Sequence, residues 1–246
     1  MGQVIAIVSG KGGTGKTSLT TLIGAALSEE GKRTLCVDCD VGLRNLDLAM
    51  GLSDRALMDF SDVAAGRATL EQAAVQHPKR RNLYLLTAPT RLERGFGPTE
   101  MARLLDAARE QFDFCLIDAA AGLGEAFRLA TDHADRALVV TTTDPTSLRD
   151  AQRAVIELET GYPDGTLHLI VNRVRRRLLK SLRSNIDDAM DAAGLPLLGV
   201  VPEDEDVPAL LGRGELDGFG YYSPAQRACR NIARRLTGQR IPLMKL

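Results

Sequence analysis

One short stretch near the start of the chain constrains the fold more than any other: SGKGGTGKT, residues 9–17. It contains the pattern G-x-x-x-x-G-K-[ST], in which glycines let backbone N–H groups turn toward a phosphate. The apolar run QVIAIVS (3–9) precedes it, and apolar residues at helical spacing follow it. A strand, a glycine-rich loop and a helix in this order predict a phosphate-binding loop at the helix N-terminus.

The residues of this loop have distinct predicted roles. Lys16 is expected to neutralise the β- and γ-phosphates of a nucleotide, and the Thr17 hydroxyl to ligate Mg²⁺. A glycine-rich turn that matches the pattern by chance is the alternative, and the position between a strand and a helix argues against it. The predicted binding residues are Gly12, Gly13, Thr14, Gly15, Lys16, Thr17 and Ser18.

A second lysine, Lys11, stands at the front of the loop among the glycines. Later residues already fill the cradle around the phosphates, so Lys11 is better placed to reach outward across an interface. A cation supplied by another subunit would neutralise charge that develops on the transferring phosphoryl group. The spacing suggests this role without deciding it.

Short apolar runs alternate with helical patterns along the rest of the chain. Such alternation builds βαβ units and a parallel sheet. Because no linker, low-complexity tract or repeat interrupts it, we expect residues 1–246 to form one doubly wound, mostly parallel α/β domain of the P-loop NTPase class, with helices on both faces. Strands are predicted at 3–9, 33–38, 82–88, 112–119, 136–143, 167–172 and 196–201, and helices at 17–30, 55–65, 69–76, 98–110, 123–132, 146–159, 179–193 and 223–236.

Composition and cysteine spacing limit the alternatives. The formal net charge is -1, so a polyanion partner would need a local basic patch. No window approaches the roughly 20 apolar residues of a membrane span, and the first residues lack the basic flank of a signal peptide, so we expect a cytoplasmic protein. Cys36 and Cys39 have CxxC spacing, but a strand would point them to opposite faces. Reduced structural thiols are therefore favoured over a metal or redox site.

Acidic residues follow two predicted strands at the end where open parallel sheets bind ligands. Asp118 closes the apolar run FCLI and is predicted to hold Mg²⁺ directly or through water, with Asp38 as a further metal ligand. Asp40 is predicted to orient or deprotonate the attacking water, and Gly122 to let the backbone approach a γ-phosphate. Loop-forming or helix-capping aspartates are the alternative.

The loop KGGTGKT resembles the deviant Walker A motif of the MinD/ParA family of P-loop ATPases. DCDVGLRNLDLAMGL (38–52), TTTDPTSLRDAQR (141–153) and GVVPEDEDV (199–207) resemble its MinD branch, and the likeness runs from Val4 to about Leu243. The resemblance implies a switch that hydrolyses ATP to ADP and phosphate with Mg²⁺, is a homodimer in the ATP state, and positions the division septum with protein partners of the division machinery.

The same resemblance assigns roles to individual residues. It implies that Lys11 is the signature lysine, which acts across the ATP-sandwiched dimer. It also implies that Asn172 and the segment Pro202, Glu203 and Asp204 frame the adenine.

The sequence around Asp118 departs from the usual MinD pattern. Asp118-Ala-Ala-Ala-Gly122 stands where MinD proteins usually have D-S-P-A-G, and it is closer to the flagellar-number regulator FlhG/FleN. A flagellar placement ATPase is therefore the alternative. A DNA-partitioning ParA-type ATPase is disfavoured by GLRNLD, so DNA is not an expected partner. An iron–sulphur carrier would need paired interface cysteines, and an ATP-dependent activating enzyme would need a substrate domain.

Two segments bear on membrane binding. After the predicted terminal helix the sequence is QRIPLMKL (239–246), and Pro242 interrupts any helix there. We therefore expect the family's C-terminal amphipathic helix to be absent and direct membrane binding to be doubtful, leaving a cytoplasmic protein or one held at the inner membrane surface through a partner. The basic run NRVRRRLLKSLR (172–183) is interpreted as a solvated or partner-docking face, with anionic lipid or DNA as the alternatives.

Overall fold

A single twisted sheet organises the chain in the computed structural model, which describes residues 1–92, 95–175, 186–220 and 223–244. Its strands are β1 (Gln3–Val8), β2 (Thr34–Asp38), β3 (Val75–Gln76), β4 (Leu83–Leu86), β5 (Phe114–Asp118), β6 (Arg136–Thr141), β7 (Leu167–Val174) and β8 (Leu197–Pro202). They are ordered β3-β4-β2-β5-β1-β6-β7-β8. All neighbours run parallel except β3 and β4. The predicted doubly wound, mostly parallel α/β fold is confirmed.

Helices cover the two faces of this sheet. None of those in the described ranges is long and apolar enough to cross a bilayer. They are α1 (Lys16–Glu29), α2 (Asn45–Ala49), α3 (Phe60–Ala64), α4 (Leu70–Ala73), α5 (Pro98–Gln111), α6 (Glu125–Thr131), α7 (Pro145–Glu159), α8 (Ile186–Ala193), α9 (Asp206–Leu211) and α10 (Pro224–Leu236).

The central strand β1 contributes to both hydrophobic layers. Val4, Ala6 and Val8 belong to the cluster that includes apolar residues of α5 and α7. Ile5 and Ile7 belong to the cluster on the opposite face, with α1 and α10. Because all five side chains are fully buried, the phosphate loop follows a strand that is fixed on both sides.

The cysteines follow the predicted alternation. Cys36 and Cys39 lie in opposite hydrophobic clusters, are fully buried and are not joined to another cysteine. Burial raises the pKa of both thiols, so they are held as neutral groups. Within the described ranges, no three His, Cys, Asp or Glu side chains are grouped as a metal site. The interpretation as structural thiols fits these observations.

The helix predicted over 55–65 is shorter than expected, because its start is set by a capping residue. Asp59 has an extended backbone and its carboxylate accepts the N–H groups of Ser61 and Asp62, so α3 begins only at Phe60. The helix predicted over 69–76 likewise ends early, and its last residues form β3.

Two short helices, α2 and α9, were not predicted. Neither is long enough to show a clear 3.6-residue period, so sequence periodicity does not reveal them. The helix predicted over 179–193 is described only from Ile186 onward, and its first half lies outside the described residues.

Candidate functional site

The loop between β1 and α1 has the backbone that phosphate binding requires. Gly13 and Gly15 are left-handed, with φ of 78° and 91°. A Cβ atom on Gly15 would also lie 2.4 Å from Nδ2 of Asn172, so only glycine fits. α1 begins at Lys16 without a side-chain cap, which leaves its first N–H groups free to bind an anion.

Lys16 lies inside this loop rather than on the surface. Its side chain is buried, and Nζ donates a hydrogen bond to Ser9 Oγ at 2.9 Å. Burial lowers the pKa of Lys16, although the charges of Asp118 and Asp40 oppose the effect. A phosphate beside Nζ would restore the ammonium form, so the position fits the predicted role. Sequence reasoning missed Ser9, which belongs to the quoted motif but lies outside its consensus.

Thr14 offers a further group to a ligand. The residue is 1% exposed, and its Oγ1 atom has no hydrogen-bond partner among the described residues. Buried hydroxyls are almost always paired in folded proteins. An orphan hydroxyl in this loop is consistent with the predicted place of Thr14 among the nucleotide-binding residues.

The predicted metal residues converge beside the loop. Asp38 and Asp118 are side by side in the register of β2 and β5, and both are fully buried. Burial raises the pKa of Asp118 to about 7 and that of Asp38 to about 6, and a hydrogen bond from Thr17 partly opposes the rise at Asp118. A divalent cation would keep both carboxylates ionised, so Thr17 and Asp118 fit a Mg²⁺ site.

Asp38 and Asp40 have different surroundings. The Asp38 oxygens accept the backbone N–H groups of Asp40 at 2.8 Å and Leu46 at 3.1 Å. Asp38 thus holds the loop that leads into α2, as the helix-capping alternative anticipated, and its role as a metal ligand stays a prediction. Asp40 is half-buried, and burial raises its pKa while the charge of Lys16 lowers it. That coupling places Asp40 near the loop, as water activation would require.

A cavity of about 400 Å³ continues from the loop toward β8. Asn172 lines it, is buried, and donates from Nδ2 to the carbonyl of Thr14 at 2.8 Å. Pro202, Glu203 and Asp204 also line it, so the predicted base-framing residues lie together.

Asp204 has structural partners within this wall. Its carboxylate accepts the Ser223 hydroxyl at 2.7 Å and the backbone N–H of Asp206 at 3.1 Å. The carboxylate therefore anchors the start of α9 and α10. Any contact between Asp204 and a base stays a prediction.

Lys11 contacts its own chain on the outer side of the loop. Nζ donates to Asp144 Oδ1 at 3.0 Å and to Thr146 Oγ1 at 2.9 Å. Burial would raise the pKa of Asp144, but hydrogen bonds from Thr142, Thr146, Lys11 and the Ser147 N–H together lower it below its usual range. Lys11 would have to leave this carboxylate to reach another subunit, so its trans role stays a prediction.

Asp144 is a residue that sequence reasoning missed. It caps the N-terminus of α7, where it accepts the Ser147 N–H at 3.0 Å. The Asp-Pro pair at 144–145 is a recognisable signal for a helix start. Its contact with Lys11, however, joins residues 133 positions apart and has no local signal.

The basic run is described only at its beginning. Arg173 and Arg175 both contact the carboxylate of Glu203 at the edge of the cavity. Both side chains are therefore paired within the chain while more than half of each stays exposed. The other basic residues of the run lie outside the described residues: Arg176, Arg177, Lys180 and Arg183.

The described end of the chain folds back along β8. Residues 239–244 are not helical, as Pro242 predicted. Arg235 donates to the carbonyls of Ile241 at 3.0 Å and Pro242 at 2.7 Å, and to that of Leu198 in β8 at 2.6 Å. The Arg235 guanidinium thus links residues 241–242 to β8 at the edge of the sheet.

Comparison with known proteins places this site in context. The family model for the CobQ/CobB/MinD/ParA nucleotide binding domain matches residues 5–216. The septum site-determining protein MinD of Bacillus subtilis is 38% identical over 249 residues, covering 100% of this chain and 93% of that protein.

Solved structures agree with this similarity. MinD in the MinC:MinD cell division complex of Aquifex aeolicus has a TM-score of 0.90 and 34% identity over 99% of this chain and 98% of that one. MinD of Pyrococcus horikoshii complexed with Mg-ADP has a TM-score of 0.82 and 30% identity, and the match covers 96% of each chain.

Proposed function

The chain belongs to the CobQ/CobB/MinD/ParA nucleotide-binding family, and from this premise we propose that it is a MinD-type, Mg²⁺-dependent ATPase that helps to position the division septum. One observation supports the ATPase most strongly. The glycine loop, buried Lys16 and the adjacent carboxylates Asp38 and Asp118 meet at the carboxyl end of the sheet. Separate parts of the chain contribute them, so their meeting is not explained by a chance match to one motif.

Different residues of the site would bind the phosphates, hold the metal ion and orient the attacking water. Lys16, the Thr14 hydroxyl and the free N–H groups at the start of α1 would bind and orient the phosphates. Thr17 and Asp118 would hold Mg²⁺, which neutralises phosphate charge when bound. Asp40 would accept a hydrogen bond from the attacking water and orient it, because it lies near Lys16 and is half-exposed.

The ATP state is proposed to be a homodimer. Lys11 lies at the outer rim of the loop with a side chain that is 33% exposed, and two hydrogen bonds, one of them the ion pair with Asp144, hold it to the start of α7. The phosphates of a nucleotide bound to the facing subunit carry more negative charge than Asp144 alone, so they would compete with Asp144 for the Lys11 ammonium group. Transfer of Lys11 between these two partners would couple nucleotide state to dimerisation.

Division partners and a cytoplasmic location complete the proposal. The Aquifex relative is in a complex with MinC, and a comparable partner is proposed for this chain. Septum placement is favoured over the flagellar alternative because the Bacillus relative is named as a septum site-determining protein and the Aquifex relative as a cell division protein. The segment GLRNLD (42–47), which resembles the MinD branch, supports the proposal that DNA is not a partner.

Three measurements test the function. Calorimetry with Mg-ATP should show binding, and light scattering should show a dimer with ATP and a monomer with ADP. If the protein bound no adenine nucleotide, the proposed ATPase activity would be contradicted. A deletion strain should misplace its septa, whereas normal septa with altered flagellar number would favour the alternative.

A further inference from the structure

Strand β7 carries an irregularity beside the phosphate loop. Val171 pairs with Val200 and Val174 with Pro202, so β7 uses one residue more than β8 across the same interval. Within the bulge, Arg173 is left-handed, with φ of 54°. A non-glycine residue in this region is uncommon, and such strain collects at sites where the surrounding contacts impose it.

The bulge changes where two consecutive side chains point. In a regular strand they would face opposite sides of the sheet. Here Asn172 donates to the carbonyl of Thr14 at 2.8 Å, and Nη1 of Arg173 donates to the carbonyl of Gly13 at 3.3 Å. Neighbouring side chains thus hold neighbouring carbonyls of the loop, which is the re-aiming that bulges near binding sites provide.

Holding these two carbonyl groups also fixes the direction of the N–H group in the same peptide unit. Each peptide is planar and trans, so the N–H points away from the C=O of the same unit. The unit of the Gly13 carbonyl carries the Thr14 N–H, and that of the Thr14 carbonyl carries the Gly15 N–H. Neither N–H donates to another described residue. Both stay available to the ligand for which the loop is shaped.

The other end of Arg173 is held by the wall of the base cavity. Its Nη2 atom lies 3.3 Å from Glu203 Oε1, and Arg175 contacts the same carboxylate. The Glu203 backbone N–H donates to the carbonyl of Val174 at 3.1 Å, which fixes this residue against the bulge. Arg173 therefore spans from the cavity wall to the phosphate loop.

We propose that Arg173 is a positioning residue that holds the phosphate loop in its binding conformation, and that Glu203 orients Arg173 for this task. The inference rests on the proposed nucleotide binding and adds a part to it. Arg173 acts on the loop carbonyl, so its contribution is to the binding of the phosphates and not of the base.

The test compares a ligand that has a base with one that lacks it. Calorimetry measures ATP and inorganic tripolyphosphate binding, both with Mg²⁺, to the wild type, Arg173→Gly and Arg213→Ala. Glycine accepts the left-handed backbone, so Arg173→Gly removes the guanidinium without new strain. Its affinity for both ligands should fall by the same factor, about threefold to tenfold, the value of one hydrogen bond. Arg213→Ala, the matched control, removes an arginine whose side chain is 60% exposed and which pairs with Glu215 rather than with the cavity wall, and it should change either affinity by less than about twofold.

A second variant tests the part assigned to Glu203. Glu203→Gln should weaken binding of both ligands, and should add little in an Arg173→Gly background, because the two changes break one chain of contacts. Arg173→Lys should recover part of the lost affinity. These variants also cover the case in which Arg173→Gly does not fold.

Each outcome decides one part of the inference. Unchanged binding of both ligands by Arg173→Gly would overturn it, and so would a loss confined to ATP, since Arg173 would then act on the base. If the wild type bound ATP but did not bind tripolyphosphate, the phosphate loop would not be held in its binding conformation before the base binds, and the inference would be contradicted. A wild type that binds neither ligand would overturn the proposed function itself.

Discussion

Replacement of Asp118 by asparagine should stabilise the protein in the absence of nucleotide and Mg²⁺. The Asp118 carboxyl is fully buried, and burial raises its pKa from 3.8 to about 7. In the unfolded chain this carboxyl ionises at its ordinary pKa, while the folded protein keeps the proton until about pH 7. The folded state therefore binds more protons across this range, and the free energy of unfolding falls as pH rises through it.

The size of the effect follows from the same values. A rise in pKa from 3.8 to about 7 lowers the free energy of unfolding by about 4 kcal/mol at alkaline pH. The new amide would keep a hydrogen bond from the Thr17 hydroxyl, but an unpaired NH₂ group costs about 1–3 kcal/mol. Asp118→Asn should thus gain about 1–3 kcal/mol.

Urea unfolding in the presence of EDTA, from about pH 4 to about pH 8, measures the difference in free energy of unfolding between Asp118→Asn and the wild type. The advantage of Asp118→Asn should grow up to about pH 7 and then stay constant. Asp113→Asn, an exposed change one residue before β5, is the control and should show no such growth. In parallel samples without EDTA, Mg²⁺ and ATP should stabilise the wild type and not Asp118→Asn. A variant less stable than the wild type at about pH 8, or a gain independent of pH, would refute the reasoning.

Two further substitutions test the division of roles within the loop and beside it. Lys16→Ala should abolish ATP binding in calorimetry, because it removes the cation that pairs with the β- and γ-phosphates, and unchanged affinity would remove Lys16 from the site. Asp40→Ala should bind ATP but hydrolyse it slowly and accumulate as a dimer, because the phosphate cradle stays intact while the carboxylate that orients water is lost. Turnover at the wild-type rate would show that Asp40 is not that carboxylate.

Local patterns in the sequence predicted the parts of the fold that depend on local rules. The phosphate loop and the alternating strands and helices were predicted because their periodicity and glycine spacing are properties of short segments. The meeting of Asp38 and Asp118 followed from a general rule, since parallel strands place their carboxyl ends at one edge. The short helix α2 and the strand β3 were missed because their length is below one clear period.

Contacts between distant segments could not be read in this way. The Lys11–Asp144 pair joins residues 133 positions apart, and neither side chain signals the other. The bulge at Arg173 depends on the register between β7 and β8 and on Glu203, 30 positions away. Asp204 was predicted to frame a base, yet its partner Ser223 is set by how α10 packs.

We propose that each ATP site is completed by Lys11 of the facing subunit, and the hydrolysis rate of a mixture of two variants tests this role. Lys11→Ala should keep much of its ATP binding through Lys16 and the loop amides, yet it should lose dimerisation and hydrolysis. Asp40→Ala alone should be nearly inactive.

Mixing the two variants places an intact Lys11 opposite a site that still has Asp40. The mixture should recover hydrolysis to at most about half of the wild-type rate, because each heterodimer contains one complete site out of two. No recovery, with heterodimers shown to be present, would contradict the trans role of Lys11.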